Sequence, residues 1–340
     1  MTKGRQNFRW ACRPLTCIVM GLTTFNLVVP EDAHTAQYVF WANSGAGKIQ
    51  RADLDGSNIA DLVTGIGTVI DVAVDATNEK LYWTVENSKI QRANLDGTGV
   101  QDLVTGLGTR SFIALDVASN RLYWSEENSP GKLSRANLDG TNVQQLITDN
   151  NVIKYPKFLA LDLTNNKIFY LSNETPNTDY IIRRANLDGT GVELSYIPGL
   201  FTQGVAGIAV DVGSSRIFWS GLHSGKIYRA NLDGSVITEP ISGQTQPMGI
   251  ALDIVNAKIY WCSYSQNKIQ RANIDGSGVE DVVTGLVSPY GITIATIEEA
   301  SSGISSAESE QEIRDIPFRS KYVLMVLLAV LGGWLVLRRR

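Results

Sequence analysis

The stretch KIQRANLDGTGV, residues 89–100, alternates apolar and polar side chains up to an Asp-Gly pair, the pattern of a strand entering a tight hairpin. Related runs stand at 48–59 (KIQRADLDGSNI), 132–143 (KLSRANLDGTNV), 182–193 (IRRANLDGTGVE), 226–237 (KIYRANLDGSVI) and 268–279 (KIQRANIDGSGV). The motif aspartates Asp55, Asp96, Asp139, Asp188, Asp233 and Asp275 are separated by 41, 43, 49, 45 and 42 residues. A period that long suits a four-stranded propeller blade and is too long for a leucine-rich or helix-pair solenoid.

One repeat, residues 71–105, resolves into four short strands, A to D: DVAVD, a polar turn, KLYWT, then KIQRANL, the Asp-Gly turn and VQDLVT. Asp-Gly supplies positive φ, and the Asp side chain can accept from the backbone two residues on, so Gly56, Gly97, Gly140, Gly189, Gly234 and Gly276 read as geometry rather than as a calcium site. Strand B carries one large aromatic per copy: Trp41, Trp83, Trp124, Tyr170, Trp219 and Trp261. Five of the seven tryptophans occupy this one position, which fits filling the gap between neighbouring sheets. Five copies also place an acid five residues before a base across the A–B turn, as in Asp75 and Lys80, and these are expected to pair as ions.

The first copy begins at strand B (YVFWAN, 38–43), and the last is followed by an unaccompanied strand A (GITIA, 291–295). If the two share a sheet, the acid and base positions become Ala295 and Tyr38, so both members of the pair are lost together. The expectation is an all-β, six-bladed β-propeller over residues 37–297, closed by a composite blade that leaves only short edges.

Between positions 37 and 297 the chain has 20 Lys or Arg against 26 Asp or Glu, a net charge of −6. That balance argues against nucleic acid, which needs a basic stripe to neutralise phosphates. Cys12 and Cys17 precede the repeats, leaving Cys262 as a buried strand residue, and His34 and His223 make no His-rich metal site. No metal or cofactor is expected.

Residues 1–36 read as a signal peptide: basic residues at 3, 5, 9 and 13, then an apolar run over 15–29. Residues 298–317 are a Ser- and Glu-rich flexible linker. In the last segment, 318–340, the 16 apolar residues of YVLMVLLAVLGGWLVL precede three arginines, a short membrane helix that would leave the repeats outside. This tail resembles the bacterial C-terminal sorting signals of the PEP-CTERM and IPTL-CTERM kind, which implies anchoring through a membrane transpeptidase.

The YWT or YWS strand followed by I-x-R-A-N-L-D-G resembles the YWTD (class B) repeats of the low-density lipoprotein receptor family across residues 37–297. The resemblance implies one six-bladed propeller used outside the cell to bind protein ligands or a neighbouring domain. The fourth YWTD residue, which in that family braces adjacent blades, is here Asn43, Val85, Glu126, Ser172, Gly221 and Ser263, and no EGF-like module accompanies the repeats. A stand-alone bacterial relative fits these departures.

The A–B and C–D turns are nearly uniform, whereas the B–C and D–A loops differ in every copy, so function is expected on the second face. The D–A loops nearest the channel offer Asp71, Arg110, Tyr155, Phe201 and Tyr290 as ligand-binding candidates, with plugging of the channel mouth as the alternative. Glu126 and Glu127 read as solvated rim charges. At the channel end of strand A the aligned residues are Asp71, Phe112, Phe158, Gly207, Gly249 and Gly291. One carboxylate is too few for the metal centre of a lactonase-type hydrolase. The favoured function is therefore non-catalytic binding of a protein, peptide or glycan, ahead of a metal-dependent hydrolase or a purely structural envelope protein.

Overall fold

The computed structural model describes residues 34–299, apart from 129, 150–152, 174–179, 195–196 and 198–203. The expected signal peptide, the sorting tail and nearly all of the linker lie outside the described residues. Within the described residues the chain forms six antiparallel sheets arranged as the blades of a propeller.

Blade 1 is the composite one. Its strands run in the order Pro289–Glu299, His34–Asn43, Lys48–Asp53, Ala60–Thr64, so the chain's last strand pairs with its first. Blades 2, 3, 5 and 6 follow with innermost strands Val69–Asp75, Ser111–Asp116, Val205–Asp211 and Pro247–Asp253, four strands each. In blade 4 the described residues give three strands, Leu159–Asp162, Lys167–Ser172 and Ile181–Asn186, with a bridge between Arg184 and Glu193 at the outer position.

The strand B aromatics are buried between sheets, with Trp41, Trp83, Trp124, Trp219 and Trp261 among the largest fully enclosed side chains. Each Asp-Gly turn behaves as the sequence implies: Asp96 Oδ1 accepts from Thr98 N at 2.9 Å, and Gly97 has φ of +87°. A second constraint acts on that glycine, since a Cβ there would stand 1.9 Å from the Leu62 carbonyl of the preceding blade. The turn is thus also a packing surface between blades.

Blade-to-blade bracing runs through two further contacts. The hydroxyl of the third YWT or FWS residue reaches the next inner strand: Thr84 Oγ1 donates to Ser111 O at 2.7 Å and Ser220 Oγ to Met248 O at 2.6 Å. Farther out, the strand C arginine donates to the leucine carbonyl of the next LDG turn, as Arg92 does to Leu138 O at 3.1 Å and Arg271 to Leu54 O at 2.7 Å. Such charge-assisted bonds contribute roughly 1.5–3 kcal/mol when shielded.

The expected acid–base pairs across the A–B turn do not form. Their backbones are partners, as in Asp75 with Lys80, but Asp75 accepts from Asn78 N at 2.9 Å and Asn78 Nδ2 at 2.7 Å, capping the turn. Lys80 turns the other way and donates to Asn94 Oδ1 at 2.6 Å. A turn N–H one side chain away is a nearer partner than the end of a long lysine whose ordering costs entropy.

Candidate functional site

Aromatic rings fill the channel. Phe112 and Phe158 enter from blades 3 and 4 with ring centroids 4.3 Å apart, and Tyr290 of blade 1 lies 5.9 Å from Phe158 in a stacked arrangement. The inner strands of blades 5, 6 and 1 carry Gly207, Gly249 and Gly291, and they approach closely: a Cβ on Gly249 would stand 2.5 Å from Tyr290 O. Rings from blades 3, 4 and 1 thus fill the space where blades 5 and 6 present glycine.

Above this aromatic floor lies a cavity of about 520 Å³ on the face formed by the B–C and D–A loops. Its lining is drawn from the loops and inner-strand starts of blades 3 to 6, together with Tyr290. That volume falls within the ~300–1,000 Å³ range of small-molecule sites.

Of the five expected residues, the fold brings three together here. Tyr290, only 4% exposed, is the floor, and burial pushes its hydroxyl pKa up. The Arg110 guanidinium lies 5.7 Å over that ring, within cation–π range. Tyr155 joins the wall from the loop before blade 4, with a positive φ of 46° that a tyrosine seldom adopts, and its N–H is held by Asn128 O at 3.0 Å. Phe201 lies outside the described residues.

Asp71 does not line the cavity. It is buried beneath the floor, where its two carboxylate oxygens accept from Val72 N and Ile113 N, both at 3.0 Å, tying blade 2 to blade 3. Desolvation without a cation beside it pushes its pKa up to about 7, against the pull of those two N–H bonds. The buried Cys262 thiol shares this environment, and desolvation, aided by the Asp71 charge, pushes its pKa up as well.

The expectation of solvated rim charges fails for both glutamates. Glu126 is 5% exposed and accepts from Gly108 N at 3.1 Å. Glu127, whose side chain is 16% exposed, pairs with Lys157 at 3.1 Å and accepts from the Tyr180 hydroxyl at 3.1 Å, while Arg110 Nη1 stands 4.0 Å away. Lys157 also lies 4.4 Å over the Tyr180 ring. Arg110 Nε is held by Glu86 at 3.1 Å. Glu86 and Glu127 occupy matching loop positions in successive copies, with Arg110 between them. That repeated Glu-Asn-Ser beside a lone arginine was the available sequence signal.

Tyr264 and His223 complete the opposite wall, and Tyr264 meets Tyr290 edge-on at 6.0 Å. Nothing in their own loops marked them. Among the described residues no group of three or more His, Cys, Asp or Glu could hold a metal ion.

Residues 120–163 match the low-density lipoprotein receptor repeat class B family model. Solved structures share the fold at low identity. A nidogen/laminin complex matches with a TM-score of 0.68 at 20% identity over 76% of this chain and 98% of that one. TolB from Acinetobacter baumannii matches with a TM-score of 0.63 at 10% identity over 76% of this chain and 66% of that one. Virginiamycin B lyase from Staphylococcus aureus matches with a TM-score of 0.52 at 19% identity over 80% of this chain and 90% of that one. No curated protein matches the chain.

Proposed function

From a six-bladed β-propeller that carries a class B repeat, we propose a non-catalytic, extracytoplasmic binding protein that takes its ligand through the variable loop face. The observation that carries this reading is the convergence of loops from four blades on one cavity with Arg110 and Tyr155 in its wall and Tyr290 as its floor. Rigid sheets hold these side chains in place, and aromatic and arginine anchors of this kind dominate binding energy. The nidogen/laminin match, a structure of two proteins in complex, supports a protein or peptide ligand, while the mixed polar and apolar lining of the cavity equally suits a glycan.

Binding is favoured over catalysis by the state of the channel carboxylate. Asp71 spends both oxygens on backbone N–H groups and lies below the floor, away from the cavity where a reacting group would sit. The fold alone carries no weight here, since propellers host both kinds of activity. The apolar run at 322–337 with its terminal arginines supports attachment to a membrane, tested by fractionating cells that express the chain with and without residues 318–340.

The test of the binding reading is capture. Full-length protein and an Arg110→Ala/Tyr155→Ala variant are used as baits against extracytoplasmic proteins and glycans. Loss of capture with an unfolding midpoint close to the parent's supports the cavity, and undiminished capture by the variant overturns it.

A further inference from the structure

Resting on that binding reading, we infer that the cavity is built for a carboxylate carried on a sugar ring, the chemistry of a uronic acid unit in an acidic glycan. A fixed cation is the first argument. Arg110 and Lys157 stand in the lining with Glu127, and Glu86 on Arg110 Nε brings the local charges into balance. That balance is held in a propeller whose repeats carry 26 acidic against 20 basic residues.

The arginine also has bonding capacity left. Glu86 holds its Nε at 3.1 Å, whereas Nη1 stands 4.0 Å from Glu127, beyond a hydrogen bond. A guanidinium edge engaged this loosely matches an incoming carboxylate in the two-pronged geometry that arginine favours.

Surface and shape give the second argument. Tyr155, Tyr180 and Tyr264 come from three different loops and line the cup together with Met248. Tyr155 and Tyr264 each bring an apolar face and a polar tip, which suits a ring with C–H faces and hydroxyl edges, while Tyr180 is held by Glu127 and Lys157. Glu127 and Gln246, on opposite walls, supply acceptors and donors for those hydroxyls. An acidic peptide would bring the carboxylate without the rigid hydroxylated body and would lose more conformational freedom on entering the cup.

Calorimetry on the full chain decides the matter with three probes: a glucuronate-containing disaccharide, its neutral analogue with the carboxylate replaced by hydroxymethyl, and a short glutamate-containing peptide. The acidic sugar is expected to bind at least roughly 10-fold more tightly than the neutral one, with the gap shrinking as salt is raised. Arg110→Gln is expected to close the gap, and Arg110→Lys to restore only part of it, each with an unchanged unfolding midpoint.

Equal affinity for the two sugars, or preference for the peptide, overturns the assignment. If none of the three binds, the assignment is again overturned, and the capture experiment then separates the two ideas. Capture still lost in the Arg110→Ala/Tyr155→Ala variant leaves the binding face standing, whereas capture retained removes both.

Discussion

Blades 6, 1 and 2 occupy one half of the ring and blades 3, 4 and 5 the other, and the halves settle their buried polar atoms differently. In the first half each third strand carries a glutamine that reaches an aspartate on the fourth. Gln50 donates to Asp61 at 2.6 Å, Gln91 to Asp102 at 2.7 Å and Gln270 to Asp281 at 2.8 Å. A lysine closes each chain, as Lys48 does on Asp61 at 2.7 Å. Trp41 and Trp83 donate their indole N–H to the same glutamines at 3.1 and 3.0 Å. In blade 6 the Ser263 hydroxyl donates to Gln270 Oε1 at 2.6 Å, and the Trp261 indole N–H has no acceptor among the described residues.

In the second half the glutamine position holds Ser134, Arg183 and Tyr228, and the polar atoms of Trp124, Tyr170 and Trp219 find no acceptor among the described residues. The turn glycines follow the same division. A Cβ would meet the preceding blade's carbonyl at 1.9 Å on Gly56, Gly97 and Gly276, but at 2.6 Å on Gly140 and Gly189. Apart from the Trp261 indole, the first half pairs these polar groups inside each sheet, and it packs its turns tightly. The second leaves sheet atoms unpaired while supplying most of the cavity wall from its loops. Scaffold and site are thus two sides of one ring.

The seam between the halves gives the largest expected effect. Asp71, in blade 2, bonds to Ile113 of blade 3, and its pKa rises from 3.8 to about 7 on folding. Between those values the folded protein holds a proton that the unfolded chain has released, so stability falls as pH rises through that window and is level above it. The displacement corresponds to at most ~4 kcal/mol. Urea unfolding at pH 4 to 8 measures it, and Asp71→Asn is expected to flatten the profile; an unchanged slope in the variant would place the titration elsewhere.

Next in size is the turn contact. Gly97→Ala is expected to cost about 3 kcal/mol, combining positive φ with overlap on Leu62, and Gly189→Ala less by about 1 kcal/mol or more, because its clearance is wider. Equal losses in denaturant titrations would erase the packing difference between the halves.

A smaller contrast isolates the indole bonds. Trp83→Phe strands the buried Gln91 oxygen, whereas Trp124→Phe removes an N–H that had no partner. The first is therefore expected to cost roughly 1–2 kcal/mol more than the second in thermal unfolding. The smallest effect belongs to the outer ion pairs. Lys89→Met, breaking a half-exposed contact with Asp102 at 2.9 Å, should change stability by less than about 1 kcal/mol, an effect that salt diminishes.

Much of this was legible in the sequence, though unevenly. Blade number, strand order and closure followed from the repeat, because the missing acid and base at Ala295 and Tyr38 could be matched without coordinates. The acid–base pairing failed for an instructive reason. Period and turn length fix which backbones face each other, as they do for Asp75 and Lys80, but leave side chains free to choose nearer partners such as Asn78 and Asn94. The Lys-Ile-Gln strand with its distant aspartate was equally readable in three copies, yet its meaning depends on a bond across two strands.

What the sequence determined by itself is the repeating part: six sheets, their Asp-Gly turns, their buried aromatics and the joining of first and last strands. These are set by short-range patterns, and the same local free energy recurs in each copy. What only the tertiary structure decided is where the ring stops being symmetric. Phe112 and Phe158 pack together at the centre while the matching positions of blades 5 and 6 are Gly207 and Gly249, and Glu127, Lys157 and Tyr180 meet from separate loops. Those meetings depend on residues far apart in the chain converging at one radius, and no local period encodes that distance.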